Sequence, residues 1–201
     1  MQKNNTKTNL RALTMTAMLS AMAAALMYVN FSIPIMPSFI KLDFSELPAL
    51  IASFSISPLS GVVVCLIKNL VKLPTTSTGG VGELSNFILG VAFVLPAGLI
   101  YKKHKTRKRA FIGSVIGALS MALIGLASNY YVIYPIYTKF MPLEGILAMY
   151  QAILPAVKID SLLKALIIFN VPFTFFKGMC SVLITFLIYK KISPLIKGKR
   201  V

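Results

Sequence analysis

Apolar residues in this chain come in long blocks, and polar groups gather where the blocks stop. The blocks predict six membrane-spanning helices, at residues 12–29, 45–57, 60–73, 84–101, 111–127 and 171–189. An α-helix rises about 1.5 Å per residue, so about 20 apolar residues cross a hydrocarbon layer of about 30 Å. Four of the blocks approach that length unaided. The second and third are shorter, and Ser57-Pro58 turns one into the other as a tight helical pair. Ser45 and Pro48 suit the start of the second helix. Asn170 suits an N-cap for the last, with Pro172 in its first turn. Residues 162–169 are apolar but too few to span, and read as a short helix at the membrane surface.

Composition sharpens this picture. Hydrophobic residues make up 57% of the 201 and charged residues only 13%, far from the balance of a soluble domain. The expected fold is therefore an all-α membrane protein, one six-helix domain over residues 1–201. The net charge of +16 would invite a nucleic-acid reading in a soluble protein. Here, however, the cations bunch at the ends of apolar blocks, which is the mark of membrane topology. Lys3, Lys7 and Arg11 precede the first block; Lys102, Lys103, Lys105, Arg107, Lys108 and Arg109 separate the fourth from the fifth; Lys190, Lys191, Lys197, Lys199 and Arg200 follow the last. With six spans these clusters share one face, and the positive-inside rule makes it cytoplasmic, with both termini inside. Residues 30–43, 75–83 and 128–170 then lie outside. No convincing cleavage boundary follows Val29, so the first helix is expected to remain uncleaved.

Several chemistries lack their residues. The phosphate-binding pattern Gly-x-x-x-x-Gly-Lys-Ser/Thr is missing, which excludes ATP hydrolysis by that route. The single histidine, His104, lies in a basic loop without a second ligand nearby, so neither a metal site nor a Ser/His/Asp set can be assembled. Cys65 and Cys180 fall inside apolar blocks as small packing residues. Catalysis is not supported.

What remains is a set of polar groups at the expected outer face. Asp43 and Glu46 open the second span; Lys68, Asn69 and Lys72 close the third; Glu83 opens the fourth beside the glycine-rich loop 75–86; Asn129, Tyr130 and Tyr131 close the fifth; Asn170 and Lys177 open the sixth. Each carboxylate alone is also accounted for by helix-end charge complementarity. Lys68 and Lys72 are read as snorkelling lysines. Lys177 lies about 10 Å down a helix from Asn170, too deep for snorkelling to be a simple account. Intramembrane charges are costly unless a partner, cavity or ligand takes them up, so their convergence points to a ligand mouth. On the first helix, Ala17, Ala21 and Ala25 recur every fourth residue, with Ser20 and Ala24 beside them. Such a face permits close helix approach, for internal packing or for a partner.

The runs Lys41-Leu-Asp-Phe-Ser-Glu-Leu-Pro-Ala49, Leu66-Ile-Lys-Asn-Leu70, Gly79-Gly-Val-Gly-Glu-Leu-Ser-Asn86, Phe93-Val-Leu-Pro-Ala-Gly-Leu-Ile-Tyr101, Asn129-Tyr-Tyr, Asn170-Val-Pro172 and Lys177-Gly178 resemble the riboflavin-specific S components of energy-coupling factor (ECF) transporters. The resemblance extends from the first span to the sixth. It implies a six-helix protein of the bacterial cell membrane that captures riboflavin outside. Its partners would be a transmembrane coupling subunit and two cytoplasmic ATPases. Riboflavin is then cargo, and no cofactor is implied. The alanine face of the first helix would dock the coupling subunit.

Residue chemistry matches that ligand. An asparagine offers both donor and acceptor to the uracil-like ring edge, which suits Asn129. Lys177 can donate to a ring carbonyl or nitrogen, and Glu83 can accept from hydroxyls or a ring N–H. Phe44, Tyr130 and Tyr131 are candidates to stack on the ring. Asp43 and Asn170 complete the expected substrate site. An S component for another vitamin and a non-transport membrane assembly protein remain as alternatives. Flavin mononucleotide or analogues are further candidate ligands.

Overall fold

The structure is a computed structural model that describes residues 2–197, with side chains from 10 to 188. The expected basic residues Lys199 and Arg200 lie outside the described residues, and the side chains of Lys3, Lys7, Lys190, Lys191 and Lys197 lie outside the described range. Helices dominate: α1 (Gln2–Tyr28), α2 (Glu46–Ser55), α3 (Pro58–Lys72), α4 (Val81–Lys103), α5 (Arg107–Ser128), α6 (Tyr134–Tyr137), α7 (Leu143–Ile153), α8 (Leu162–Ala165) and α9 (Val171–Lys197). Between α1 and α2 a small antiparallel pair, β1 (Phe31–Ser32) and β2 (Lys41–Leu42), sets Phe31 opposite Leu42.

Helix starts follow their local chemistry. The Ser60 N–H donates to Ser57 Oγ at the head of α3, where Pro58 occupies the first turn. The Arg109 N–H donates to Thr106 Oγ1 at the head of α5. Before α4 the chain turns through Gly79 and Gly80, at φ 63° and 88°, a left-handed geometry that glycine adopts without strain.

Among the described residues, five helical runs are long and apolar enough to cross a membrane: Leu10–Tyr28, Pro58–Thr75, Val81–Lys103, Arg107–Tyr137 and Leu162–Ile188. Three expectations change. The span expected at 45–57 is a helix of 10 residues, about 15 Å and half a hydrocarbon layer. At its head, Asp43, Ser45 and Glu46 form a buried polar cluster. The surface helix expected at 162–169 is instead the first part of the last long run. Its Ala165 and Leu166 are fully buried, so it belongs to the bundle. The span expected at 111–127 continues to Tyr137 through a wide turn.

Contacts fix the helix directions. At the end of α1, Tyr28 hydrogen-bonds Thr75 (2.9 Å) just beyond α3, and the Lys72 ammonium sits 3.8 Å over its ring. α1 and α3 therefore run in the same direction, and α2 descends between them. Phe111 near the start of α5 meets Phe186 late in α9, so those two run antiparallel. α4 and α5 approach through small residues. A Cβ added at Gly117 would meet the Phe93 carbonyl at 2.4 Å, and one at Gly113 the Ala97 carbonyl at 2.8 Å. Two apolar cores result. One lies among α1–α5 and α9; the other, around Tyr134, Ile146, Tyr150 and Leu166, caps the end where Thr75 and Glu83 lie.

Candidate functional site

Between the two cores lies a cavity of about 330 Å³, within the range of small-molecule sites. Asp43, Glu83, Asn129, Asn170 and Lys177, expected from the sequence, line it together. They arrive from the β2–α2 loop, α4, the end of α5 and the start of α9.

Both asparagines sit in wide helical turns. The Tyr134 N–H donates to the Asn129 carbonyl and the Val171 N–H to the Leu166 carbonyl, each five residues back. Such π turns re-aim side chains and recur at functional sites. Asn129 Oδ1 accepts from Ser85 at 3.1 Å, which commits its oxygen and leaves its NH2 for a ligand. Asn170 is held more fully. Its Oδ1 accepts from Tyr150 at 2.7 Å, its Nδ2 donates to Tyr134 Oη, and the two tyrosine hydroxyls bond each other. Burial pushes the Tyr150 hydroxyl far above its ordinary range, so it stays neutral and available as a donor.

Glu83 is tied to its own loop. Its Oε2 accepts from Thr76 (2.7 Å) and Thr78 (3.4 Å), while the Thr78 and Gly80 N–H groups donate to Thr76 Oγ1. The glycine-rich loop is thereby folded down as one wall.

Lys177 donates to Asp43 Oδ2 at 2.9 Å and lies 3.5 Å from Glu46 Oε2. The Ser45 N–H donates to Asp43 Oδ1 at 2.9 Å, so both oxygens of the carboxylate are engaged. The site thus presents a charged pair that is balanced overall.

Other expected residues lie elsewhere. Tyr131 is 75% exposed and Tyr130 is also turned outward, their rings edge to face at 5.0 Å, and neither lines the cavity. The wide turn at Asn129 rotates the helix so that Ile133, Tyr134 and Tyr137 face inward instead. Phe44 is half-buried against Phe31, outside the cavity. The aromatic wall is Phe39, Tyr134, Tyr137 and Phe173. Lys72, read from the sequence as a snorkelling lysine, lines the cavity. Lys68 does not snorkel: it is fully buried against Glu46 and Ser45. Asn86 also lines the cavity, and its buried Oδ1 has no protein partner. Its signal in sequence was position: an amide one helical turn after Glu83, on the same face.

On α1, Ala17, Ala21 and Ala25 are exposed, whereas Thr16, Ser20, Ala23 and Ala24 face the bundle. The alanine stripe is therefore not part of the internal packing of this chain, and Ser20 and Ala24 do not belong to it.

Known proteins resemble this chain along its length. It is 32% identical over 197 residues to the riboflavin transporter RibU of Staphylococcus aureus (strain TCH60), covering 98% of this chain and 97% of that one. It is 34% identical over 194 residues to the riboflavin transporter FmnP of Bacillus subtilis (strain 168), covering 94% and 96%. Its fold superposes on a solved chain described as the S component of a bacterial ECF transporter, with a TM-score of 0.74, 29% identity and coverage of 96% and 99%. The family profile "ECF transporter, substrate-specific component" matches residues 11–189, and with these full-length relatives it shows that the chain belongs to the substrate-specific S components of ECF transporters.

Proposed function

We propose that this chain is the riboflavin-binding membrane subunit of an ECF transporter, and that the cavity between the two cores holds the flavin. The observation that carries the reading is the lining itself. Aromatic rings (Phe39, Tyr137, Phe173) suit a flat tricyclic ring, amides (Asn86, Asn129) suit a donor–acceptor edge, and a balanced ion pair suits a neutral ligand. Asn129 and Lys177 donate to ring acceptors, Asn86 Oδ1 accepts from a ring N–H, and the free oxygen of Glu83 accepts from ribityl hydroxyls. Asp43 and Asn170 act by holding Lys177 and the tyrosine pair in place.

The chain crosses the membrane six times, with α2 and the segment before it making the second crossing. The parallel run of α1 and α3 supports this, because a return pass must separate them. Both termini and the 102–109 cations then share a face, cytoplasmic by the positive-inside rule. Partners are a transmembrane coupling subunit, docked on Ala17, Ala21 and Ala25, and two ATPases that supply the energy this chain has no phosphate loop to supply.

The test is titration of the purified protein with riboflavin, followed by flavin fluorescence, without ATP. Stoichiometric, quenched binding is expected, with thiamine and biotin unable to compete. Tight binding of thiamine or biotin with no affinity for flavin would reject the reading.

A further inference from the structure

Behind the cavity wall lies a second ion pair that does not itself line the cavity. Lys68 on α3 is 0% exposed and Glu46 at the head of α2 is 0% exposed. The Lys68 ammonium donates to Glu46 Oε1 at 2.8 Å and to Ser45 Oγ at 2.6 Å. The other oxygen of Glu46 faces Lys177 at 3.5 Å, and Lys177 in turn holds Asp43 at 2.9 Å. Four charges therefore alternate in one chain: Lys68, Glu46, Lys177, Asp43. Only the last two line the cavity.

An ammonium has three donors and a carboxylate draws the nearest cation strongly when both are dry. Glu46 is therefore a competitor for Lys177. If Lys68 were absent, Glu46 would have Lys177 as its remaining cationic partner in the network, and would draw that ammonium away from Asp43 and the cavity. If Glu46 were absent, Lys68 would keep only Ser45 and compete with Lys177 for Asp43. With both present, each satisfies the other, and Lys177 keeps donor capacity for a ligand.

We propose that Lys68 and Glu46 are a positioning pair for the binding site: by satisfying each other, they set where the Lys177 ammonium stands and how much of it a flavin can use. This rests on the riboflavin reading above. It assigns a binding role to a lysine that never touches the ligand.

The experiment is a charge-neutralising double-mutant cycle on the full chain in detergent, with riboflavin Kd, bound stoichiometry and melting temperature measured together. Lys68→Met and Glu46→Gln alone each leave one buried charge unmatched, and each is expected to weaken binding by about tenfold or more. The double variant K68M/E46Q removes both charges and leaves Lys177–Asp43 intact, since a buried pair can often be replaced by neutral groups. It is expected to bind within about threefold of wild type. A purely structural pair would lower melting temperature and bound fraction in the single variants while leaving Kd unchanged, and that result overturns the proposal. A double variant that binds no tighter than the single variants, or that does not fold, overturns it too. Should one single variant fail to fold, the other supplies the same comparison, and if neither folds the pair is structural and the proposal is overturned. Wild-type protein that fails to bind flavin rejects the parent reading instead, so the two failures are distinguishable.

Discussion

At the scale of single residues, the two asparagines in wide turns differ in how much of their amide is left for a ligand. Asn129 spends only its oxygen on Ser85, whereas Asn170 is engaged at both ends by Tyr134 and Tyr150. Asn129→Ala is thus expected to weaken riboflavin binding by about 1–3 kcal/mol with little effect on melting temperature. Asn170→Ala should lower both, because it takes one hydrogen-bond partner from each of two buried tyrosine hydroxyls. Tyr131→Ala, at an outward-facing side chain, should leave affinity unchanged; titration of the three variants side by side decides the matter.

At the scale of elements, α1 has two faces with separate tasks. Its inner face, with Leu19, Ala23 and Met27, packs into the core, and its outer face carries Ala17, Ala21 and Ala25. Ala21→Leu is expected to abolish uptake in cells while leaving flavin binding by the purified protein intact. A parallel loss of binding would assign the stripe to internal support. The α4–α5 contact depends on backbone proximity at Gly117, where any side chain would press on the Phe93 carbonyl. Gly117→Ala should destabilise the protein by about 1–3 kcal/mol, read as a lowered melting temperature. The ligand cavity is farther along the same helix pair, so residual folded protein should still bind.

At the scale of the whole molecule, the bundle separates the cavity at one end from the basic 102–109 rim at the other. Cysteine labelling tests how that axis lies in the membrane. In a background with Cys65 and Cys180 replaced by alanine, a cysteine put in place of the exposed Lys139 should react with an impermeant reagent added to intact cells. One put in place of the exposed Lys105 should react only after the membrane is opened. The reverse pattern would invert the proposed orientation.

The sequence by itself determined that this chain is a membrane-embedded helical protein, because block length and charge placement are local properties. It also marked Asp43, Glu83, Asn129 and Asn170, since polar groups at the ends of apolar blocks gather on one face once the blocks span, and Lys177, which stands out inside a block. Which aromatic residues wall the cavity was not legible. Tyr130 and Tyr131 look equivalent to Tyr134 and Tyr137 in composition, and a one-residue widening of the helix at Asn129 decides which pair turns inward. The role of Lys68 was equally hidden. A lysine near the end of an apolar block reads as snorkelling until its partner is known, and Glu46 lies 22 residues away. The Lys177–Asp43 pair joins positions 134 residues apart. Pairings at such separations depend on which face each helix turns to its neighbours, and only the packed bundle decides that.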